Sequence, residues 1–316
     1  MSKHGATVSI ITLQYPFVRE PYQWNNISVY PLNGANKKVN QLFLAKKAIQ
    51  HAKKVHEKKP VDVVHAFWLN RATEIAQKIA IALNVPLLAT AMGQEMRNPN
   101  RRLPRWRNAS FPIVSISGFQ SDALRNVGIR PKSIIPWGVE GVVASKKDVD
   151  LICVGSLIPL KNVAYFLELC AELKSHSNDF RAIVLGDGPE RKHLEIQIQD
   201  YNLKPNVQLL GSLSYKETQQ WIARSKVLVH ASSFEGFGMV IIEALANETL
   251  VLATPVGIAK ELEIPHLIGD PKLDVAMLQM LLRANRPDKQ LFPIEETVTA
   301  YINLYESVST GMANVS

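Results

Sequence analysis

Short apolar runs alternate with amphipathic stretches along almost the whole chain. "VDVVHAFWL" reads as a strand, "RATEIAQKIAIALN" as an amphipathic helix and "VPLLATAMG" as the next strand. "FPIVSIS", "GFQSDALRNVG" and "KSIIPWG" repeat the pattern. It resumes after "VEGVVASKKDVD", where "LICVGSL", "FRAIVLGDG", "VQLLGSL", "KVLVHAS" and "TLVLATPVG" are the strands. Strands that are apolar without alternation, with helices between them, belong to parallel sheets covered on both faces. Two such series with a break near residues 138–150 predict an α/β protein of two doubly wound, Rossmann-like domains facing a cleft. Ligands of such folds bind outside the carboxyl ends of the strands. Near the N-terminus the spacing of Leu42, Ala45, Ile49 and Ala52 predicts a helix over 37–59, with Lys46, Lys47, Lys53 and Lys54 on its other faces.

At 316 residues and 47% hydrophobic content the chain can bury two cores. No apolar run approaches a membrane span; the nearest, 79–92, is broken by Asn84 and Pro86. No cleavable leader pattern is visible, and Cys153 and Cys170 fall in a strand and a helix rather than in a disulfide framework. The expected setting is the cytoplasm, with a peripheral position on the inner face of a membrane.

Charge changes this picture in one half only. The net charge of +8 divides into 20 Lys+Arg against 6 Asp+Glu in residues 1–138, and 16 against 22 in the remainder. The lysine helix and the segment "RNPNRRLPRWR" at 97–107, which reads as a loop, carry much of the excess. The helix fits a solvated basic face, while the arginine segment suits an anionic membrane surface or a phosphorylated acceptor. A nucleic acid is not expected, because Trp106 is the lone aromatic interleaved there and no binding motif accompanies it.

The candidate chemistry lies in "SSFEGFGMVIIEAL", 232–245. Glu243 is the only polar residue between Gly238 and Asn247, inside an apolar helix, and Glu235 stands just before that helix. The strand "KVLVHAS" delivers the loop to its carboxyl end, so the helix N-terminus becomes an anion site that the glycines leave open to phosphate. A buried carboxylate needs a partner. Ribose hydroxyls would satisfy Glu243, as they do the acidic residue of dinucleotide folds.

This stretch resembles the paired-glutamate signature of the retaining glycosyltransferase family 4, whose members have the GT-B fold. "VGSLIPLKN", "VLGDGPE", "LLGSLSYKE", "DVVHAFW" and "IIPWGVE" resemble further landmarks of that family in the same order, from Val8 onward. The resemblance implies transfer of a sugar from a nucleotide diphosphate sugar to a sugar or lipid-linked acceptor hydroxyl, with retention, in polysaccharide or glycolipid synthesis. It implies neither a metal nor another cofactor. By position, Lys161 matches the basic residue on the donor diphosphate, where it would stabilise the leaving group. Glu235 matches the glutamate near the donor sugar, and Glu243 the one on the ribose. Gly236, Phe237, Gly238 and Met239 complete the donor-binding set, with amides of Gly238 and Met239 on the phosphate.

Two positions and the start of the chain depart from the family pattern. Ser156 stands where an arginine is common. Met92 stands where a histidine is common, which leaves Gly93 and Glu95 as the nearest acceptor-side candidates. His65 is expected to be a cleft-wall or core histidine. The chain also opens "SKHGATVSIITL" without a glycine-rich turn, and "KHG" reads as a helix end capped by Gly5. The first strand, the glycine loop and most of the first helix are therefore expected to be missing. Either the chain is a fragment or the element has been abandoned. The expected division is 1–138 for an incomplete acceptor-side domain, 139–290 for the donor domain, and 291–316 for a helix returning to the first.

"DVD" at 148–150 resembles the metal motif of glycosyltransferases with another fold, but it falls in a linker where solvated caps are usual. "GDGP" at 186–189 reads equally as a plain turn or as a border of the nucleotide site. Two rival functions share the architecture: a sugar-nucleotide 2-epimerase, and a non-catalytic donor-binding fragment.

Overall fold

The computed structural model describes residues 5–34, 38–96, 102–142, 146–285 and 292–313. It divides into two compact units. The first comprises Met1–Ile116, Ser121–Ile135 and Val298–Ser316; the second comprises Ser117–Gln120 and Pro136–Thr297.

The first unit contains two sheets. The strands β1 (Ser9–Thr12), β2 (Tyr22–Trp24) and β3 (Ile27–Pro31) form one, in the order β1-β3-β2, with β1 parallel and β2 antiparallel to β3. The β2 strand departs from the all-parallel expectation. Its cause is local: Asn25 and Asn26 both take positive φ, 47° and 63°, and make a two-residue hairpin turn. The helix α1 (Lys38–Lys58) follows, and its buried face is Leu44, Ala48 and Ala52, with Ala45 and Ile49 partly covered. The expected stripe is thus rotated toward the i, i+4 row that meets Ile75 and Ile79. Lys46, Lys47, Lys53 and Lys54 are exposed.

The second sheet of this unit is parallel, in the order β4 (Val64–Phe67), β5 (Leu87–Thr90), β6 (Ile113–Ser115), β7 (Ser133–Ile134). The β5 and β6 strands are buried throughout, which is why they read as unbroken apolar runs. Between β4 and β5 runs α2 (Arg71–Leu83), opened by the Asn70 side chain and closed by Asn84 in the left-handed region, and between β6 and β7 runs α3 (Gly118–Asn126). Of the predicted 97–107 loop, 97–101 lie outside the described residues, as do the residues before Gly5. The remainder is not an open basic loop. Leu103–Trp106 is one turn of 3₁₀-helix that buries Leu103 and Trp106 in the core. Arg102 and Arg105 pair with Glu74 at 3.3 and 2.8 Å, and Arg107 donates to the Val127 carbonyl.

The second unit is one five-stranded parallel sheet. Its strands are β8 (Val149–Val154), β9 (Ala182–Leu185), β10 (Val207–Gly211), β11 (Ser225–His230) and β12 (Leu250–Ala253). They are ordered β10-β9-β8-β11-β12. The crossovers carry α4 (Val163–His176), α5 (Arg191–Asp200), α6 (Tyr215–Ala223) and α7 (Met239–Ala246), and α8 (Pro271–Arg283) follows β12. Cys153 and Cys170 are free and buried in this core. Asp148 and Asp150 of the "DVD" stretch are taken up by cations: Arg224 and Arg181 for the first, Lys226 for the second.

The last helix, α9 (Ile294–Ala313), contributes its residues from Val298 onward to the first unit. There Tyr301 and Tyr305 close a polar chain with His65 and Thr90. His65 Nδ1 lies 2.7 Å from the Tyr305 hydroxyl, His65 Nε2 2.7 Å from Thr90 Oγ1, and Thr90 Oγ1 3.0 Å from the Tyr301 hydroxyl. Burial pushes the His65 imidazole down to about 3, so it is a neutral, bonded, half-buried histidine. Among the described residues no helix is long and apolar enough to cross a membrane.

Candidate functional site

Strand order in the second unit reverses between β8 and β11: β9 and β10 extend to one side of β8, β12 to the far side of β11. The carboxyl ends of strands at such a reversal splay apart and leave a crevice. Both chain segments that leave it carry predicted residues. After β8 come Gly155, the exposed Ser156, and a 3₁₀ turn at Pro159–Lys161. After β11 comes the loop to Gly238, where α7 begins. The two segments are tied together by the Ser233 amide, which donates to the Leu160 carbonyl at 2.9 Å.

Lys161 and Glu235, 74 residues apart in sequence, meet here: the Lys161 ammonium bonds Glu235 Oε1. A third residue, absent from the sequence-based set, joins them. His230, the last residue of β11 and 3% exposed, places Nε2 at 2.9 Å from the same Oε1. A carboxylate can only accept, so Nε2 carries the proton of that bond. Burial alone would push the Glu235 carboxyl up; the His230 bond and the Lys161 charge overcome it and hold the group at about 2. Glu235 is therefore ionised throughout the neutral range.

The loop between Glu235 and α7 is held by close backbone packing. Gly257 has φ 58°, and a Cβ there would lie 2.4 Å from the Phe237 carbonyl oxygen and 2.9 Å from Glu235 Cβ. No other residue fits that approach. The Ile258 amide then donates to Phe237 O at 2.7 Å, and the buried Phe237 ring packs edge-on to Phe292. Gly238 caps α7 with φ 97° and no side-chain hydrogen bond, so the helix opens with free N–H groups and the positive end of its dipole. Met239 is its first residue. The "GDGP" turn sits beside β8's exit, where the Leu157 amide donates to Asp187 O at 3.0 Å and Glu190 donates back to Leu157 O.

Glu243 lies one turn into α7, half-buried. Burial raises its pKa, and the neighbouring Gln219 side chain of α6 pulls it the other way. Gln219 is itself bonded by Asn247 Nδ2 at 2.7 Å. Burial and the Gln219 side chain are the causes of that shift, whereas Glu235 is bonded by Lys161 and His230. Burial disfavours the ionised form of this carboxyl.

In the first unit, Met92, Gly93 and Glu95 follow β5. Glu95 is buried, and its Oε1 accepts the amides of Leu69 at 3.0 Å and Met92 at 2.8 Å. The carboxylate thereby staples the exits of β4 and β5, and Gly93, with φ 100°, turns the chain between Met92 and Glu95.

These features can be set beside known proteins. Residues 140–278 match the glycosyl transferases group 1 family. Over 113 residues the chain is 29% identical to the phosphatidylinositol N-acetylglucosaminyltransferase GPI3 subunit of Saccharomyces cerevisiae, covering 36% of this chain. The chain spans only 25% of that relative's length. Among solved structures, a glycosyltransferase from Rickettsia africae superposes with TM-score 0.73 at 19% identity, covering 97% of this chain and 91% of that one. HepE from Anabaena, solved in complex with UDP and glucose, superposes with TM-score 0.64 at 19% identity over 92% of this chain and 86% of its own. Residues 140–278 thus match the glycosyl transferases group 1, and the chain shares the GT-B fold of these solved glycosyltransferases.

Proposed function

We propose that the chain transfers a sugar from a nucleoside diphosphate sugar to an acceptor hydroxyl with retention at the anomeric carbon. The observation that carries this is the meeting of Lys161 and Glu235 at the reversal point of the sheet, beside the N-terminus of α7, which no side chain caps. A diphosphate fits the free amides and the Lys161 ammonium, a sugar hydroxyl fits Glu235, and ribose hydroxyls fit Glu243. In the reaction the bond from the anomeric carbon to the diphosphate oxygen breaks. The acceptor oxygen bonds to that carbon and passes its proton to the departing diphosphate, whose gained charge Lys161 balances. No step calls for a metal. The name of the GPI3 relative supports an acceptor carried on a lipid, hence a glycolipid product.

The test is calorimetry of the full chain with UDP, GDP and ADP, then incubation with the matching nucleotide sugars and NMR of the products. One nucleoside diphosphate should bind, and transfer or slow hydrolysis should release sugar with the donor's anomeric configuration. An isomeric nucleotide sugar formed without acceptor would assign an epimerase instead. Binding without turnover would leave a donor-binding protein, and no binding would remove the donor reading.

The exposed lysines of α1 suit a peripheral position on an anionic membrane, consistent with such an acceptor. Vesicles containing phosphatidylglycerol should recruit the chain at low salt and lose it at high salt, because screening shortens the reach of exposed charge. Equal recovery on phosphatidylcholine vesicles would remove the membrane from the list of partners.

A further inference from the structure

His230 lies at the end of a core strand in which the other side chains from Val227 on are buried and apolar, and no role has been assigned to it. Two donors converge on one oxygen of Glu235: the His230 imidazole and the Lys161 ammonium both bond Oε1. Among the described residues Oε2 takes no hydrogen bond from the protein. The two donors differ in freedom. His230 is fixed by a short side chain and a buried strand, 3% exposed, whereas Lys161 sits at 22% on a flexible four-carbon stem in the turn before α4.

We propose that His230 is a positioning residue: it anchors Glu235 by Oε1, presents Oε2 to a donor sugar hydroxyl, and keeps the carboxylate satisfied when Lys161 leaves it for the diphosphate. This rests on the donor reading given above. Without donor, Lys161 and Glu235 neutralise one another. A diphosphate must compete for that ammonium, and a carboxylate at 13% exposure releases it only if another donor remains. With His230 gone, Lys161 is the only donor left on Glu235 among the described residues, and the diphosphate loses it.

The experiment compares His230→Leu, which fills the space without a donor, with His230→Gln, whose amide can reach Oε1. Each is made in the wild-type and Glu235→Gln chains, and melting temperature is recorded alongside calorimetry with the nucleoside diphosphate that the wild type binds. His230→Leu should weaken binding about tenfold or more, the scale of one charged hydrogen bond. His230→Gln should recover most of the loss. In the Glu235→Gln chain, where Lys161 is no longer held by a charge, His230→Leu should change affinity about twofold at most, so the double-mutant cycle is strongly non-additive. Equal losses in both backgrounds, or no difference between Leu and Gln, would overturn the proposal. If His230→Leu does not fold, His230→Ala serves as the donor-free variant. A wild-type chain that binds no nucleoside diphosphate would overturn the donor reading and this inference together. A wild type that binds, with variants that bind alike, would overturn this inference alone.

Discussion

Lys161→Ala should lower turnover about 10²- to 10³-fold, the scale of one preorganised charge-stabilising group, while moving the donor Michaelis constant far less. The asymmetry follows from what the ammonium does before donor arrives. It is bonded to Glu235, so a bound diphosphate gains Lys161 only by taking it from an existing ion pair. The ground-state gain is the difference between two favourable contacts, about tenfold in affinity, and is smaller than the gain at the transition state. At the transition state the diphosphate has gained charge as the glycosidic bond breaks, and its pull on the ammonium rises while that of Glu235 does not. Interactions stronger in the transition state than in the ground state appear in turnover. Steady-state kinetics across donor concentrations decide this. A loss confined to the Michaelis constant would make Lys161 a ground-state binder.

Glu243→Gln should weaken nucleoside diphosphate affinity about 10- to 100-fold, since one or two charged hydrogen bonds to ribose are lost. It should also raise the melting temperature at neutral pH. Burial raises the Glu243 pKa in the folded chain above its unfolded value. The folded state therefore disfavours the ionised form. That penalty is fully present above the raised pKa and is relieved as pH falls through it, toward the ordinary carboxylate range. A neutral amide of the same shape removes the penalty at pH 7. Calorimetry and a melting curve on the same sample measure both effects. A variant less stable than wild type, with unchanged affinity, would mean that Glu243 is a structural carboxylate and that the ribose lies elsewhere.

The glutamate pair was legible in the sequence because one carboxylate in an eight-residue apolar helix has few structural reasons to be there. The contrast between the two glutamates was not. Glu235 is held at about 2 by a histidine and a lysine from two other points in the chain, and Glu243 is raised by its surroundings. His230 left one readable trace: it is the single ionisable residue near the end of "KVLVHAS", five positions before Glu235. At five residues along a strand and its loop, spacing alone cannot say whether two side chains meet. The Asn25-Asn26 turn was also readable as a hairpin signal, and it explains the antiparallel β2.

What the sequence determined by itself is what depends on local periodicity and on the company a residue keeps along the chain. The alternation of apolar strands and helices, the helix over α1 and the paired glutamates with their glycines are of this kind. Tertiary structure decided which row of α1 is buried, because Ile75 and Ile79 of α2 select Leu44, Ala48 and Ala52 over their neighbours. It decided that Arg102 and Arg105 serve Glu74, and that Glu95 staples two strand exits through backbone amides. It also brought Lys161 and His230 onto one oxygen of Glu235. Each of these depends on partners far away in sequence, so burial and charge at those positions are properties of the packed chain and not of any window along it.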